Sequence, residues 1–323
     1  MAKDTTVLGK AFEYACLLAI YNALKDNQPI AIETSPQFDT AKSFYNSLKE
    51  GKQKKDLDCA SKGAVRILMG LEPQLVYPAK NKPLTLSIQA DAEGMKGDVR
   101  DVLCIRYQND WQIGLSCKHN HSAVKHSRLS KTIDFGKEWF GIPCSQKYFS
   151  AITPLFEELE TIRDNSAKTA RWDSIEDKAE RYYIPILTAF MEELQRLAKE
   201  NKDVPMLLIS YLIGKYDFYK VITNDTHRLV RVEAINLNGT LNKPADGHKA
   251  VATIPRLKYP TCFYHIGFKD GSNNTITVVC DGGWEISMRI HNASSKVEPS
   301  LKFDVQLIST PNTIYTQSEP YGE

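Results

Sequence analysis

Two apolar runs, "DVLCIRY" at 101–107 and "WQIGLSC" at 111–117, are separated only by Gln108-Asn109-Asp110. Apolar residues alternating with polar ones predict half-buried strands, and so short a polar gap predicts a hairpin. No other stretch restricts the possible folds as much. In a hairpin the start of the first strand lies beside the end of the second, so Asp101 and Lys118 meet at one rim. Side chains alternate along a strand, so Ser116 and Lys118 share a face. Asp98 stands just before the hairpin, but Asp101 abuts the apolar run directly.

The rest of the chain places this hairpin in an α/β half. Residues 7–25 carry Leu8, Phe12, Ala15, Cys16, Ala19, Ile20 and Leu24 at helical spacing, with Glu13 beside that stripe. Two more helices are expected before residue 77, a strand near 85–90, and long amphipathic helices across 150–200. "MLLISYLIG" reads as a buried helix or strand. From about 217 the texture changes to short strands divided by Asn, Gly, Pro and Asp turns. The expected organisation is therefore a core with helical segments over 1–215 and a β-rich region over 216–323.

Composition narrows the function classes. Apolar residues make up 42% of the 323-residue chain, enough to build a core. The formal charge is only +2, but basic residues cluster at 49–55, 118–137 and 289–302, as a folded nucleic-acid groove needs. The seven cysteines form no CxxC pair, which argues against a zinc ribbon or finger. Their scatter through apolar segments suggests a reducing compartment. No apolar run is expected to span a membrane and no signal-peptide pattern opens the chain, so a cytoplasmic protein is expected.

The rim of the hairpin is where chemistry is expected. A carboxylate at Asp101 suits a hard Mg²⁺ ion, which prefers oxygen ligands. A lysine at 118, near a phosphate and an attacking water, offsets developing negative charge. This is the arrangement of a metal-dependent phosphodiesterase. The string His119-Asn120-His121 spells H-N-H only by coincidence, because true H-N-H nucleases spread those residues over tens of positions. Cys117 with His119 lacks the oxyanion hole and orienting group of a thiol nucleophile. His119, Asn120, His121, Lys125, His126, Arg128 and Ser130 read instead as donors to phosphates. Arg289, His291, Asn292, Ser294, Ser295 and Lys296 form a second polar segment. Arginine to guanine is the commonest specific base contact, so this segment is a candidate for base readout.

On these residues the chain resembles the PD-(D/E)xK nuclease superfamily, which implies a core of a mixed sheet flanked by helices, here with a helical insertion and a β-rich C-terminal region for DNA recognition. Asp101 matches its metal-binding aspartate and Ser116-Cys117-Lys118 its (D/E)xK triplet. Glu13, in a helix opening "GKAFE", matches an additional active-site glutamate. One position departs from the pattern: Ser116 stands where a carboxylate is expected. The resemblance leaves Glu13, Asp98 or Glu93 to supply that charge, and makes the carbonyl of Cys117 a further candidate metal ligand. The segments "KGDVRDVLCIR", "CKHNHSAVKHSRLSKTIDFGKEW", "YLIGKYDFYKVI" and "RIHNASSKVEPSLKFDVQL" resemble more closely the HaeIII family of type II restriction endonucleases. That resemblance implies Mg²⁺-dependent cleavage of double-stranded DNA at GGCC, leaving a 5′-phosphate and a 3′-hydroxyl. It also implies a cognate methyltransferase acting on the same site without direct contact. A palindromic site invites a homodimer. Two other functions stay open: a non-catalytic DNA-binding protein, which the serine at 116 favours, and a structure-specific repair nuclease on the same fold.

Overall fold

The computed structural model describes residues 2–77, 83–90, 97–119, 123–165 and 170–321, with side chains described except at 2–5 and 123–126. Along the chain the strands are β1 (Ile30–Ile32), β2 (Leu84–Ile88), β3 (Val102–Arg106), β4 (Trp111–His119), β5 (Ala123–Leu129), β6 (Phe218–Asn224), β7 (Leu229–Ile235), β8 (Phe263–Phe268), β9 (Thr275–Cys280), β10 (Glu285–His291), β11 (Leu301–Ser309) and β12 (Tyr315–Pro320). The helices are α1 (Ala2–Leu24), α2 (Pro36–Ser47), α3 (Lys52–Leu71), α4 (Pro73–Val76), α5 (Phe135–Phe140), α6 (Gln146–Asp164), α7 (Ile184–Glu200) and α8 (Val204–Ile213).

These elements fall into two compact units. The first comprises Met1–Ser122, Gly214–Leu257 and Thr313–Glu323. Its mixed sheet has the order β1-β2-β3-β4-β6-β7-β12. β1 with β2 and β4 with β6 are its parallel pairs, and its other pairs are antiparallel. Helix α1 packs on β2, β3 and β4, while α3 packs on β6, β7 and β12. Phe12, Cys16 and Ile20 of α1 share one core with Val102, Cys104, Ile113, Leu115 and Cys117. Side-chain alternation then places Leu103, Ser116, Lys118, Lys220, Arg231 and Glu233 on the opposite face of the sheet.

Helix ends are set by local chemistry. Ser35 caps α2 by accepting from Phe38 N–H at 3.1 Å, and Pro36 opens the helix with its fixed φ. A buried carboxyl ties α3 to β6: Glu72 Oε1 accepts from the Tyr219 hydroxyl at 2.6 Å and from Asn242 N–H at 2.7 Å. Burial pushes that carboxyl up to about 7, against the lowering effect of both hydrogen bonds.

The second unit comprises Ala123–Ile213 and Lys258–Asn312. Its antiparallel sheet has the order β5-β11-β10-β9-β8. An aromatic cluster fills its core, with Phe135–Phe190 and Phe190–Phe303 ring centroids 4.5 and 5.0 Å apart. Asp134 caps α5 through Lys137 N–H, and Ser145 caps α6 through Tyr148 N–H.

Mixed α/β architecture with helices flanking a mixed sheet matches the sequence expectation. Three differences have physical causes. The compact units follow the two sheets, so residues 216–323 divide between both units and do not form one β-rich region: β6, β7 and β12 join the first sheet, β8 to β11 the second. "AVKHSRL" forms β5, although its polar side chains hide the strand in the sequence. Thr6–Leu24 is, against expectation, long and apolar enough to cross a membrane by length and composition. Its apolar residues serve here as core, with Ala11, Phe12, Cys16, Leu17 and Ile20 fully buried.

Candidate active site

β3 and β4 form the expected hairpin, with Val102 opposite Leu115 and Arg106 opposite Trp111. A short 3-10 turn over Tyr107–Asn109 is closed by Asp110 at φ 49°, a left-handed conformation that a short polar side chain tolerates. β3 ends at Val102, whereas β4 runs on to His119. The Asp101 side chain fills the edge left vacant there. Its Oδ2 accepts from Cys117 N–H at 2.7 Å, and Lys118 Nζ stands 3.6 Å away. The N–H and C=O of a strand residue point to the same edge, so the Cys117 carbonyl faces the side that Asp101 occupies.

Helix α1 brings Glu13 to this place. Glu13 is buried, and Lys10 Nζ lies 3.1 Å from its carboxylate. The Cys117 thiol is held far above its ordinary range by its hydrogen bond with Cys16, by burial, and by the negative fields of Asp101 and Glu13. Both carboxylates therefore act on one buried thiol, which stays protonated and cannot serve as a thiolate nucleophile. Glu13, Asp101, Ser116, Cys117 and Lys118 are thus assembled at one end of the sheet.

Among the described residues no three His, Cys, Asp or Glu side chains converge into a ready-made metal cage. The donors on offer are the Glu13 and Asp101 carboxylates and the Cys117 carbonyl. This all-oxygen set fits a hard divalent cation that keeps several of its waters, and it does not fit a thiolate- or imidazole-bound metal.

The remaining predicted residues separate. Asp98 is turned to Arg100, whose Nε and Nη2 donate to its two oxygens at 2.7 and 2.6 Å. Arg100 in turn stacks 4.1 Å over the Tyr216 ring and lies across Gly114. Gly97 at φ 91° starts this segment, and its carbonyl accepts from Lys215 N–H at 2.8 Å beside Gly214, where a Cβ would lie 2.7 Å from the Gly97 oxygen. Asp98 therefore braces the chain leading into Asp101. Ser116 is buried at 2% exposure, in register with Lys220 of β6. His119 points to Asp225, with Nε2 3.0 Å from the carboxylate, and its side chain is largely buried. Glu93, Asn120 and His121 lie outside the described residues, as do the side chains of Lys125 and His126.

In the second unit Arg289 and His291 stand on β10 rather than in a loop, and both approach Asp304 of β11. Arg128 Nη1 donates to Glu298 at 2.8 Å. Asn292, Ser294 and Lys296 spend hydrogen bonds on shaping their own turn: the Asn292 amide and Ser294 hydroxyl both donate to the Lys296 carbonyl. Ser295 accepts through its carbonyl from Trp172 N–H at 2.9 Å.

Lys220, in a segment "GKYDFYK" that reads either as a backbone contact or as packed aromatics on a strand, is not among the expected site residues. Burial lowers its ammonium below the ordinary value; Glu233 opposes that shift, and nearby Lys118 and Arg231 add to it. A lysine inside "FYKVITN" at a strand position was the available signal, because a mid-strand cation in an apolar run needs a partner or a task. Asp225, the partner of His119, had no comparable signal: its chain neighbourhood is an ordinary polar turn.

The family described as HaeIII restriction endonuclease matches residues 9–311. The type II restriction enzyme HaeIII of Haemophilus aegyptius is 41% identical across the full length of both chains. No solved structure matches significantly. The Asp101–Lys118 rim and every other site described above fall inside the matched span, and the chain belongs to the HaeIII restriction endonuclease family.

Proposed function

We propose that this chain cleaves double-stranded DNA at the palindrome GGCC through the rim formed by Asp101, Glu13, Cys117 and Lys118, with Mg²⁺ as cofactor. A site-specific deoxyribonuclease of type II is what membership of this family entails. GGCC, the metal and the individual residues belong to the proposal. The observation that carries the assignment of the rim is the pairing of Asp101 with both Cys117 N–H and Lys118. It brings a carboxylate and a cation to one strand end, which supports the PD-(D/E)xK reading.

Asp101, Glu13 and the Cys117 carbonyl would hold the ion. When bound, Mg²⁺ supplies Lewis-acid stabilisation and lowers the pKa of a coordinated water. Lys118 directs its ammonium at the scissile phosphate and offsets charge gathering on its non-bridging oxygens. Water attacks phosphorus in line with the 3′-oxygen. The attacking water gives one proton to solvent, the P–O3′ bond breaks, the 3′-oxygen takes a proton from solvent, and the phosphate stays on the 5′ side. Asp98 acts at one remove, by fixing Arg100 and the segment that presents Asp101. Ser116 contributes no charge, so Glu13 is the second carboxylate. A two-fold homodimer fits the symmetry of a palindromic site, and a methyltransferase modifying the same sequence protects host DNA without touching this chain.

Digestion of a plasmid of known sequence with Mg²⁺ tests the whole reading. Fragments ending at GGCC with 5′-phosphates are expected, and Asp101→Ala and Lys118→Ala should abolish them. An intact plasmid, or undiminished cutting by both variants, overturns it. Preferential cutting of branched or mispaired DNA would favour a repair nuclease.

A further inference from the structure

The second unit presents an ordered charged array. β10 and β11 pair with Arg289 opposite Asp304 and His291 opposite Lys302. β11 and β5 pair with Lys302 opposite Arg128. Neighbours in register lie on the same face, and residues two apart along a strand do as well. Ile290, Leu301, Phe303 and Val305 are fully buried on the inner face. Arg128, Arg289, His291, Lys302 and Asp304 therefore share the outer one.

Asp304 is the centre of this array. Its Oδ2 lies 2.8 Å from His291 Nε2 and 3.5 Å from Arg289 Nη2, while Oδ1 lies 3.4 Å from Lys302 Nζ. The Asp304 side chain is only 13% exposed, but that of Arg289 is 56% exposed. Glu298 and Ser300 similarly tether Arg128, at 2.8 and 2.6 Å. Exposed ion pairs contribute little to stability, about 0–1 kcal/mol each. Stability is thus a weak reason to gather these donors on adjacent strands. Without a central carboxylate, like charges in register would repel and splay.

We propose that this face contacts duplex DNA and that Asp304 is its positioning residue, holding Arg289 and Lys302 where their donors meet the polyanion and its base edges, while His291, whose two ring nitrogens meet Asp304 and the Asn292 carbonyl, braces the array. The inference rests on the endonuclease reading and adds to it Lys302 and Asp304. Charge complementarity selects the partner: the outward groups are donors of positive charge, and the acids among them are engaged by those donors. The contact to Arg289 is long enough for the guanidinium to reach guanine O6 and N7 while Asp304 still restricts its direction. An acid that orders cations makes binding selective at a cost in general affinity, since it offsets part of the positive charge.

That trade-off gives a test with opposite signs. Full-length wild type, Asp304→Ala and Asp304→Asn are titrated in EDTA against a duplex containing GGCC and a scrambled duplex, over a range of salt. Asp304→Ala should bind the scrambled duplex several-fold more tightly, with a salt slope steeper by about one counterion. Its preference for GGCC should fall about tenfold or more, the scale of one lost base-reading contact. Asp304→Asn keeps an acceptor without the charge and should show the tighter scrambled binding with a smaller loss of preference. Unchanged affinities for both duplexes overturn the proposal, because the face then meets no DNA. A parallel loss on both duplexes with a lowered melting temperature also overturns it, leaving Asp304 a purely structural ion pair. Wild type that binds and cuts no DNA sinks the endonuclease reading itself, a result separable from either variant.

Discussion

Asp101 has two tasks that substitution can separate. Its Oδ2 accepts from Cys117 N–H at 2.7 Å and faces Lys118 Nζ at 3.6 Å. In Asp101→Ala the Cys117 N–H loses its acceptor, which costs about 1–3 kcal/mol when a part-buried donor is left unsatisfied. The Lys118 pair adds about 1 kcal/mol, because at 3.6 Å it is long for an ion pair and both side chains keep some contact with solvent. A loss near 2 kcal/mol is expected, a fall in melting temperature of roughly 3 °C for a chain of this size. Asp101→Asn keeps a carbonyl oxygen at the same place, so its stability should stay within about 1 kcal/mol of wild type. Both variants lose the negative charge, and both should lose plasmid cleavage by at least about 100-fold. Thermal melting and a time course of supercoiled-plasmid nicking read the two effects independently. Cleavage by Asp101→Asn within a few-fold of wild type would refute the catalytic assignment. Melting of Asp101→Asn as low as Asp101→Ala would refute the hydrogen-bond argument.

Glu72 predicts a pH effect: its folded-state carboxyl is raised to about 7 from 4.5, so the folded chain binds the extra proton and stability falls as pH rises between those values. About 3 kcal/mol should be lost across that window, and denaturant melts of Glu72→Gln should show the dependence removed. Gly114→Ala places a Cβ 2.1–2.7 Å from the Cδ, Cγ and Cβ of Arg100. Displacing that side chain should cost about 1–3 kcal/mol and slow cleavage through the Asp98–Arg100 brace; a fully active, equally stable variant would show the brace to be dispensable. Lys220→Met removes a buried cation whose ammonium is depressed by desolvation, while Glu233 keeps Arg231 at 2.9 Å. The burial penalty is fully present below the lowered folded value and vanishes above the ordinary lysine value near 10.5. The variant should therefore be more stable at pH 7 and progressively less so towards pH 11 in urea melts, and no gain at pH 7 would contradict the desolvation argument.

The sequence was most informative where periodicity and turn chemistry agree. The hairpin of β3 and β4 was legible because alternation on both sides of Gln108-Asn109-Asp110 leaves one register, and that register alone brings Asp101 to Lys118. β6 through β11 were legible for the same reason. β5 was not, because "AVKHSRL" faces a polar surface and carries its strand signal only in its pairing with β11. The division into units was illegible for a deeper cause: β4 pairs with β6 across an intervening stretch that folds as the second unit. No local composition marks such a crossing. Glu13 looked like a helix-surface charge beside an apolar stripe, yet it is buried at 6% exposure. Only packing of α1 on β4 reveals that its charge, like that of Asp101, acts on Cys117.

Ser116 now has a physical context. β6 places Lys220 in register beside it, on the face shared with Lys118. A carboxylate at 116 would lie next to this buried ammonium and be drawn into an ion pair with it, away from the rim. With serine there, the proposed acidic donors are Asp101 at the vacated edge of β3 and Glu13 from the helix on the other face. Lys220 instead meets the field of Glu233 across β7. The serine and the buried lysine thus form a matched pair, and neither position is intelligible alone. On the proposed reading, the serine at 116 goes with a redistribution of charge between two faces of one sheet, with the cations kept on one and the second carboxylate supplied from the other.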